Sequence, residues 1–132
     1  MQVFEKDGKI LAKLITNDDW VPGLGFFSND NDFIQVGTWF YNAGKQLANH
    51  VHYEFDRVAK RTYETVHMVN GSMKVRLYTL EKVFVTDFVI SKGETLILLE
   101  SGHGYEILEE DTKVLEIKNG PFMGVDKDKE KF

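Results

Sequence analysis

The chain has 132 residues, of which 42% are hydrophobic and 13% aromatic, which is enough apolar material for the core of one domain. The net charge of -5 at pH 7 argues against a nucleic-acid-binding protein, because such proteins present a basic surface to phosphates. Cysteine is absent, so disulfides and thiolate ligands are excluded, and any metal ion would be bound by histidine and carboxylate.

The N-terminal region predicts a cytoplasmic protein that begins with a β-hairpin. Residues 1–16 carry charges throughout and lack a long apolar run, so we expect neither a signal peptide nor a membrane span. Asp7-Gly8 separates the apolar pair Val3-Phe4 from the run 10–15, a spacing typical of a hairpin. A looser segment rich in Gly and Asp follows at 17–32.

Short runs of β-branched and aromatic residues recur along the rest of the chain, with turn residues between them. We expect strands at 33–41, 47–53, 61–69, 72–79, 83–90, 95–99, 104–108 and 114–117. Asn70-Gly71 predicts a second hairpin, between the third and fourth of these strands. The pattern indicates an all-β sandwich or small barrel of the jelly-roll kind. Residues 1–120, including the N-terminal strands, would form one domain, and the charged tail 121–132 would be solvated.

The predicted strand 47–53 carries two histidines, His50 and His52. Side chains at positions i and i+2 lie on the same face of a strand, so both imidazoles would point into a sheet interior or a cavity. This pair favours a metal site. His67 follows Glu64 by three residues, which places it on the opposite strand face, and we expect an ordinary histidine there.

The segment that contains this histidine pair resembles the first motif of the cupin superfamily, G-x5-H-x-H-x3,4-E-x6-G. Gly44, His50 and His52 match its first half, and Glu64 and Gly71 match its second half. The departure is the gap between the halves, where eleven residues separate His52 from Glu64 instead of three or four. The resemblance implies that these extra residues form a longer loop or a β-extension between two strands.

A later segment resembles the second cupin motif, G-x5-P-x-G-x2-H-x3-N, without its proline and asparagine. His103 follows an apolar strand and a glycine turn, where the family places its last metal ligand. The resemblance implies a single-domain cupin-type jelly-roll β-barrel with a divalent ion such as Fe, Mn, Ni or Zn. The implied ligands are three imidazoles and one carboxylate: His50, His52, Glu64 and His103. Glu54 or Asp56 could take the place of Glu64.

The resemblance further implies a metal-dependent enzyme, of dioxygenase or isomerase type, that acts on a small anionic molecule or a sugar derivative. Arg57, Lys60 and Arg61 form the densest basic cluster of the chain and lie in the long insertion. Because guanidinium groups bind carboxylate and phosphate in a bidentate manner, this cluster could bind the anion. A solvated loop paired with Glu54 and Asp56 is the alternative.

Two other functions remain open from the sequence. Small cupins that look similar include sugar-nucleotide epimerases and ketoisomerases without a metal, in which His50 or His52 would act as base and Tyr63 or Tyr105 as acid. The other is a non-catalytic module that binds a small ligand or a metal. We also expect a homodimer, because exposed edge strands invite pairing.

Overall fold

The computed structural model describes all 132 residues and confirms the all-β class. Its ten strands are β1 Gln2–Lys6, β2 Lys9–Ile15, β3 Gly23–Phe26, β4 Gly37–Phe40, β5 Glu64–Asn70, β6 Ser72–Tyr78, β7 Phe84–Ser91, β8 Thr95–Leu98, β9 Gly102–Ile107 and β10 Lys113–Lys118. A short 3-10 helix, Asn17–Asp19, and one α-helix, α1 Val125–Asp128, complete the structure. Neither helix has the length and hydropathy needed to cross a lipid bilayer.

Two antiparallel sheets pack face to face around the main core. The larger sheet has the order β1-β2-β8-β5-β10, the smaller sheet has the order β7-β6-β9, and β3 and β4 pair separately. One cluster of 12 buried side chains joins Met68 and Leu96 of the larger sheet to Val75 and Leu77 of the smaller sheet. The inward faces of the two sheets therefore share one apolar layer, as in a β-sandwich.

The outer face of the larger sheet is also covered, at its centre. Ile97 alternates with inward-facing Leu96 and Leu98 on β8 and packs in a second buried cluster with Ile15 and Ile34. Ile34 lies in the connection between β3 and β4, within the strand predicted at 33–41, and Phe27 of the looser segment 17–32 packs against the same cluster. Both faces of β8 are thus buried, which explains its continuous apolar sequence.

The predicted hairpin at Asn70-Gly71 is wrong, whereas the hairpin at Asp7-Gly8 is confirmed by the pairing of β1 with β2. β5 and β6 flank Asn70-Gly71 but belong to different sheets. Gly71 has φ +78°, and a Cβ atom there would collide with Thr112. A left-handed glycine suits a sharp corner as well as a hairpin, so the dipeptide marks the crossing from one sheet to the other.

The predicted strand 47–53 does not form, and the strand predicted at 33–41 narrows to β4. Residues 41–63 connect β4 to β5 without regular structure, and their side chains are almost all exposed. No strand of the chain pairs with this segment. A strand without a hydrogen-bonded neighbour is not stable in water, so β propensity alone does not order it.

Candidate functional site

Two edge strands, β9 and β10, place polar side chains between the sheets. On β9, His103 and Tyr105 lie opposite Leu77 and Val75, which are fully buried. Directly paired residues point to the same face of a sheet, so both polar side chains point into the sandwich. Their sheet ends at β9, and the sandwich is therefore open beside them.

Glu64, on the larger sheet, also points into the sandwich. Glu64 pairs with Lys118 of β10 and shares its strand face with Val66, a member of the main core. Glu64 itself is only 7% exposed. A carboxylate so deeply buried requires partners, because the loss of hydration is costly.

Three side chains supply those partners, and together with Glu64 they form the cluster called here the Glu64 cluster. The Nε2 atom of His103 lies 3.0 Å from Glu64 Oε1, and the Tyr105 hydroxyl donates a hydrogen bond to the same oxygen at 2.7 Å. The Nζ atom of Lys118 lies 3.5 Å from Glu64 Oε2. Both carboxylate oxygens therefore face a donor or a positive charge.

These contacts keep Glu64 ionised. Burial by itself raises the pKa of Glu64, but the hydrogen bond and charge of His103, followed by Tyr105 and Lys118, outweigh burial and lower the pKa from 4.5 to about 2. The carboxylate is consequently an anion at all physiological pH values. It can accept hydrogen bonds and stabilise a cation, but it is too weak a base to remove a proton from carbon.

The other two partners hold their protons. Burial, then the charge and hydrogen bond of Glu64, raise the pKa of Tyr105 far above its ordinary value. Burial opposes the charge of Lys118, yet the neighbouring carboxylates Glu116 and Glu64 raise the pKa of this lysine. Tyr105 is therefore a fixed hydrogen-bond donor and Lys118 a fixed cation.

His103 contacts Glu64 through one of its two ring nitrogens. Because Nε2 faces an ionised carboxylate, that nitrogen carries the hydrogen and donates it to Glu64. The opposite nitrogen, Nδ1, is buried and has no hydrogen-bond partner. The contact with Glu64 thus fixes the orientation of the ring and leaves Nδ1 without a competing interaction.

A cavity of about 710 Å³ opens beside the cluster, between the edge strands and the C-terminal residues 128–132. Its lining includes all four members of the cluster and also Arg61 and Arg76. Six lysine and arginine side chains line the cavity against four aspartate and glutamate side chains. This basic surplus, in a chain of net charge -5, would attract an anionic ligand.

The four predicted metal ligands fall into two separate pairs. Glu64 and His103 are in contact, whereas His50 and His52 lie in the exposed segment 41–63 with their rings 5.2 Å apart. No group of three or more His, Asp or Glu side chains is arranged to bind a metal ion. The ammonium of Lys118 also occupies the position beside Glu64 where a metal would supply positive charge. The residues in this arrangement do not fit one metal centre, and the metal site stays a prediction.

The predicted catalytic tyrosines have different surroundings. Tyr105 belongs to the Glu64 cluster, whereas the Tyr63 hydroxyl donates to Glu100 at 2.9 Å and its ring stacks near Phe33. Burial and the hydrogen bond to Glu100 raise the pKa of Tyr63. Only Tyr105 lines the cavity.

Of the three predicted anion-binding residues, one lines the cavity and two do not. Arg61 lines the cavity, where its guanidinium pairs with Glu100 at 2.6 Å. Arg57 lies over the ring of Phe55, 3.6 Å from its centroid, and Lys60 is exposed. Neither Arg57 nor Lys60 lines the cavity. Glu54 and Asp56, the alternative carboxylates, are exposed in the same irregular segment.

Sequence reasoning missed Lys118, Arg76 and the C-terminal residues of the cavity. Lys118 joins the site because β10 pairs with β5, a register that the sequence does not encode locally. The alternation of Glu116 and Lys118 was the available signal, because it places two charged side chains on one face of a strand.

Comparison with protein-family models, with curated proteins and with solved structures found no match to this chain.

Proposed function

We propose that the chain is an enzyme of the cupin-type jelly-roll fold that moves a proton on a small anionic molecule, with His103 as the acid–base group. The observation that carries this proposal is the 3.0 Å contact of His103 Nε2 with the ionised Glu64, at the wall of a 710 Å³ cavity. The face-to-face packing of a five-stranded and a three-stranded antiparallel sheet supports the jelly-roll assignment.

The roles of the cluster follow from the protonation states. A histidine that donates through Nε2 to a carboxylate presents Nδ1 as the base, and the carboxylate stabilises the imidazolium that forms. Tyr105 and Lys118 hold Glu64 in position and charged, so we assign them positioning roles. Nδ1 is buried and has no partner, so a ligand reaches it only after a shift of the side chains that cover it, and a polar ligand atom would then satisfy its hydrogen-bonding capacity.

The reaction class that suits this set is proton transfer next to a carbonyl group. The imidazole removes a proton from the carbon beside the carbonyl, and the electron pair of the C–H bond moves onto the carbonyl oxygen as an enolate. Where that carbon carries a hydroxyl group, the hydroxyl proton passes to the enolate oxygen, the imidazolium returns its proton to the former carbonyl carbon, and the hydroxyl oxygen becomes the new carbonyl oxygen, which completes an isomerisation. The surplus of positive charge on the cavity wall favours the enolate.

Solvent exchange tests this chemistry directly. Sugar phosphates, nucleotide sugars and 2-oxo acids are first ranked by the increase in melting temperature that they give. Each binder is then incubated with the protein in D₂O, and the loss of C–H signal is followed by proton NMR. We expect deuterium to enter the carbon beside the carbonyl group of the true substrate.

Two histidine variants give the matched comparison. His103→Gln should abolish the exchange, whereas His67→Gln should retain it, because His67 faces away from the cavity and contacts Thr95. A binder that shows no exchange with wild type would replace this proposal with a non-catalytic binding module. Exchange that survives in His103→Gln would assign the base elsewhere.

A metal-dependent enzyme is the second candidate, favoured by the presence of two ligand-type pairs, Glu64 with His103 and His50 with His52. Elemental analysis of untagged protein from metal-replete cells tests it. One ion per chain that is lost in both His50→Ala and Glu64→Ala would support this candidate. A wild type without stoichiometric metal would eliminate it.

A further inference from the structure

We propose that residues 128–132 form a strap across the mouth of the cavity and that its lysines, Lys129 and Lys131, bind the phosphate groups of a phosphorylated ligand. This inference rests on the cavity of the proposed function and specifies the chemical class of its ligand. Most side chains of the charged tail 121–132 are exposed. All five strap residues nevertheless line the cavity.

Alternate residues of the strap are attached to the body of the protein. Asp128 accepts a hydrogen bond from the hydroxyl of Thr62, two residues before the first residue of β5 on the larger sheet. Glu130 forms an ion pair of 2.9 Å with Lys82, which follows the smaller sheet's β6. The strap thus connects the two sheets on either side of the open edge.

The aromatic end of the strap packs against the smaller sheet. The ring of Phe132 meets that of Tyr78 edge to face, with centroids 5.1 Å apart, a favourable aromatic geometry. Gly102 lies beneath it, and a Cβ atom at Gly102 would be 3.4 Å from the Phe132 ring. The ring therefore lies close to the first residue of β9.

The lysines between these attachment points have no carboxylate within 4.0 Å. In contrast, the other four basic side chains of the lining are each paired with a carboxylate: Arg61, Arg76, Lys82 and Lys118. The two strap lysines are therefore the cations whose charge is available to a ligand. Two ammonium groups, each with three donors, suit a ligand with two or more negative charges, such as a phosphate ester or a diphosphate.

Calorimetric titration with inorganic pyrophosphate tests the inference on the full chain. Wild type should bind pyrophosphate, with an affinity that falls as sodium chloride is raised, because salt screens the charges. The double variant K129Q/K131Q should bind roughly tenfold more weakly, since it loses two charge-assisted contacts. Both side chains are exposed, so their replacement should leave folding unchanged.

The matched control removes two positive charges elsewhere. Lys92 and Lys113 are exposed, have no ion pair and lie away from the cavity lining. K92Q/K113Q should therefore keep the wild-type affinity within roughly twofold. Wild type that fails to bind pyrophosphate, or equal losses in the two double variants, would overturn the inference.

Pyrophosphate binding and deuterium exchange test the strap lysines and His103 separately. His103→Gln should keep its affinity for pyrophosphate, because the strap lysines remain in place. Intact pyrophosphate binding without any deuterium exchange would remove the acid–base proposal and leave the strap. Deuterium exchange on an uncharged substrate, together with no pyrophosphate binding, would remove the strap inference and leave the acid–base proposal.

Discussion

The ionised Glu64 predicts a stability difference that depends on pH. Glu64→Gln keeps the shape of the side chain and an oxygen for His103 and Tyr105, but it removes the negative charge. The folded-state pKa of Glu64 is lowered, so its contribution is fully present above the unfolded value of 4.5 and is lost as the pH falls towards about 2. The variant should therefore be less stable than wild type at pH 7 and approach it in acid.

The structure sets the size of this effect. Lowering the pKa from 4.5 to about 2 corresponds to at most about 3.4 kcal/mol at pH 7. Glu64 borders an open cavity, where water screens its interactions, so we expect about 2 kcal/mol. At pH 3 the difference should be clearly smaller, because the carboxyl of the unfolded chain is then protonated and part of the linkage is lost.

Urea unfolding of both proteins at pH 7, 5, 4 and 3 measures the difference. Glu110→Gln is the control, because Glu110 is exposed, has no ion pair and should change the free energy of unfolding by less than about 0.5 kcal/mol. A Glu64→Gln difference that is the same at pH 3 as at pH 7 would refute the ionised cluster. So would a difference near zero at pH 7.

Three further expectations follow from the fold and the site. Tyr105→Phe removes a hydrogen-bond donor to the charged Glu64 and should lower the free energy of unfolding by about 1.5 kcal/mol. Urea unfolding measures this loss, and an unchanged free energy would show that the hydrogen bond is not formed. Gly71→Ala should lower the free energy of unfolding by about 2–3 kcal/mol, and Gly8→Ala should lower it by about 1 kcal/mol. Both glycines have positive φ, but only at Gly71 would an added Cβ atom collide with a neighbour, Thr112. Equal losses in urea unfolding would contradict the sheet-to-sheet corner. A homodimer is predicted from the exposed edge strands, and light scattering that gives a monomer across a wide concentration range would exclude it.

The strands after residue 60 could be predicted closely because their signals are local. β-branched residues between glycine and charged turns located β5 to β10 to within a few residues of the observed bounds. The strand 47–53 carried similar signals and does not form. Whether this segment forms a strand depends on a partner strand from elsewhere in the chain, and a local composition pattern contains no information on that partner.

The candidate site was also predicted only in part from the sequence. Glu64 and His103 were selected through the resemblance to the cupin motifs, and Tyr105 through the likeness to metal-free epimerases and ketoisomerases. Their contact with Lys118 and with the strap depends on the pairing of β5 with β10 and on the path of the chain beyond it. The predicted grouping of Glu64 and His103 with His50 and His52 stays a prediction, because the histidine pair lies in the irregular segment 41–63.

The sequence by itself determined the all-β class and most strand positions, because side-chain alternation and turn chemistry act over a few residues. Only the tertiary structure decided that Asn70-Gly71 joins two sheets and that a lysine stands beside the buried carboxylate. It also decided that the charged tail lies over the cavity. These features depend on which distant strands pair, and that choice minimises the exposed apolar surface of the whole chain rather than of any one segment.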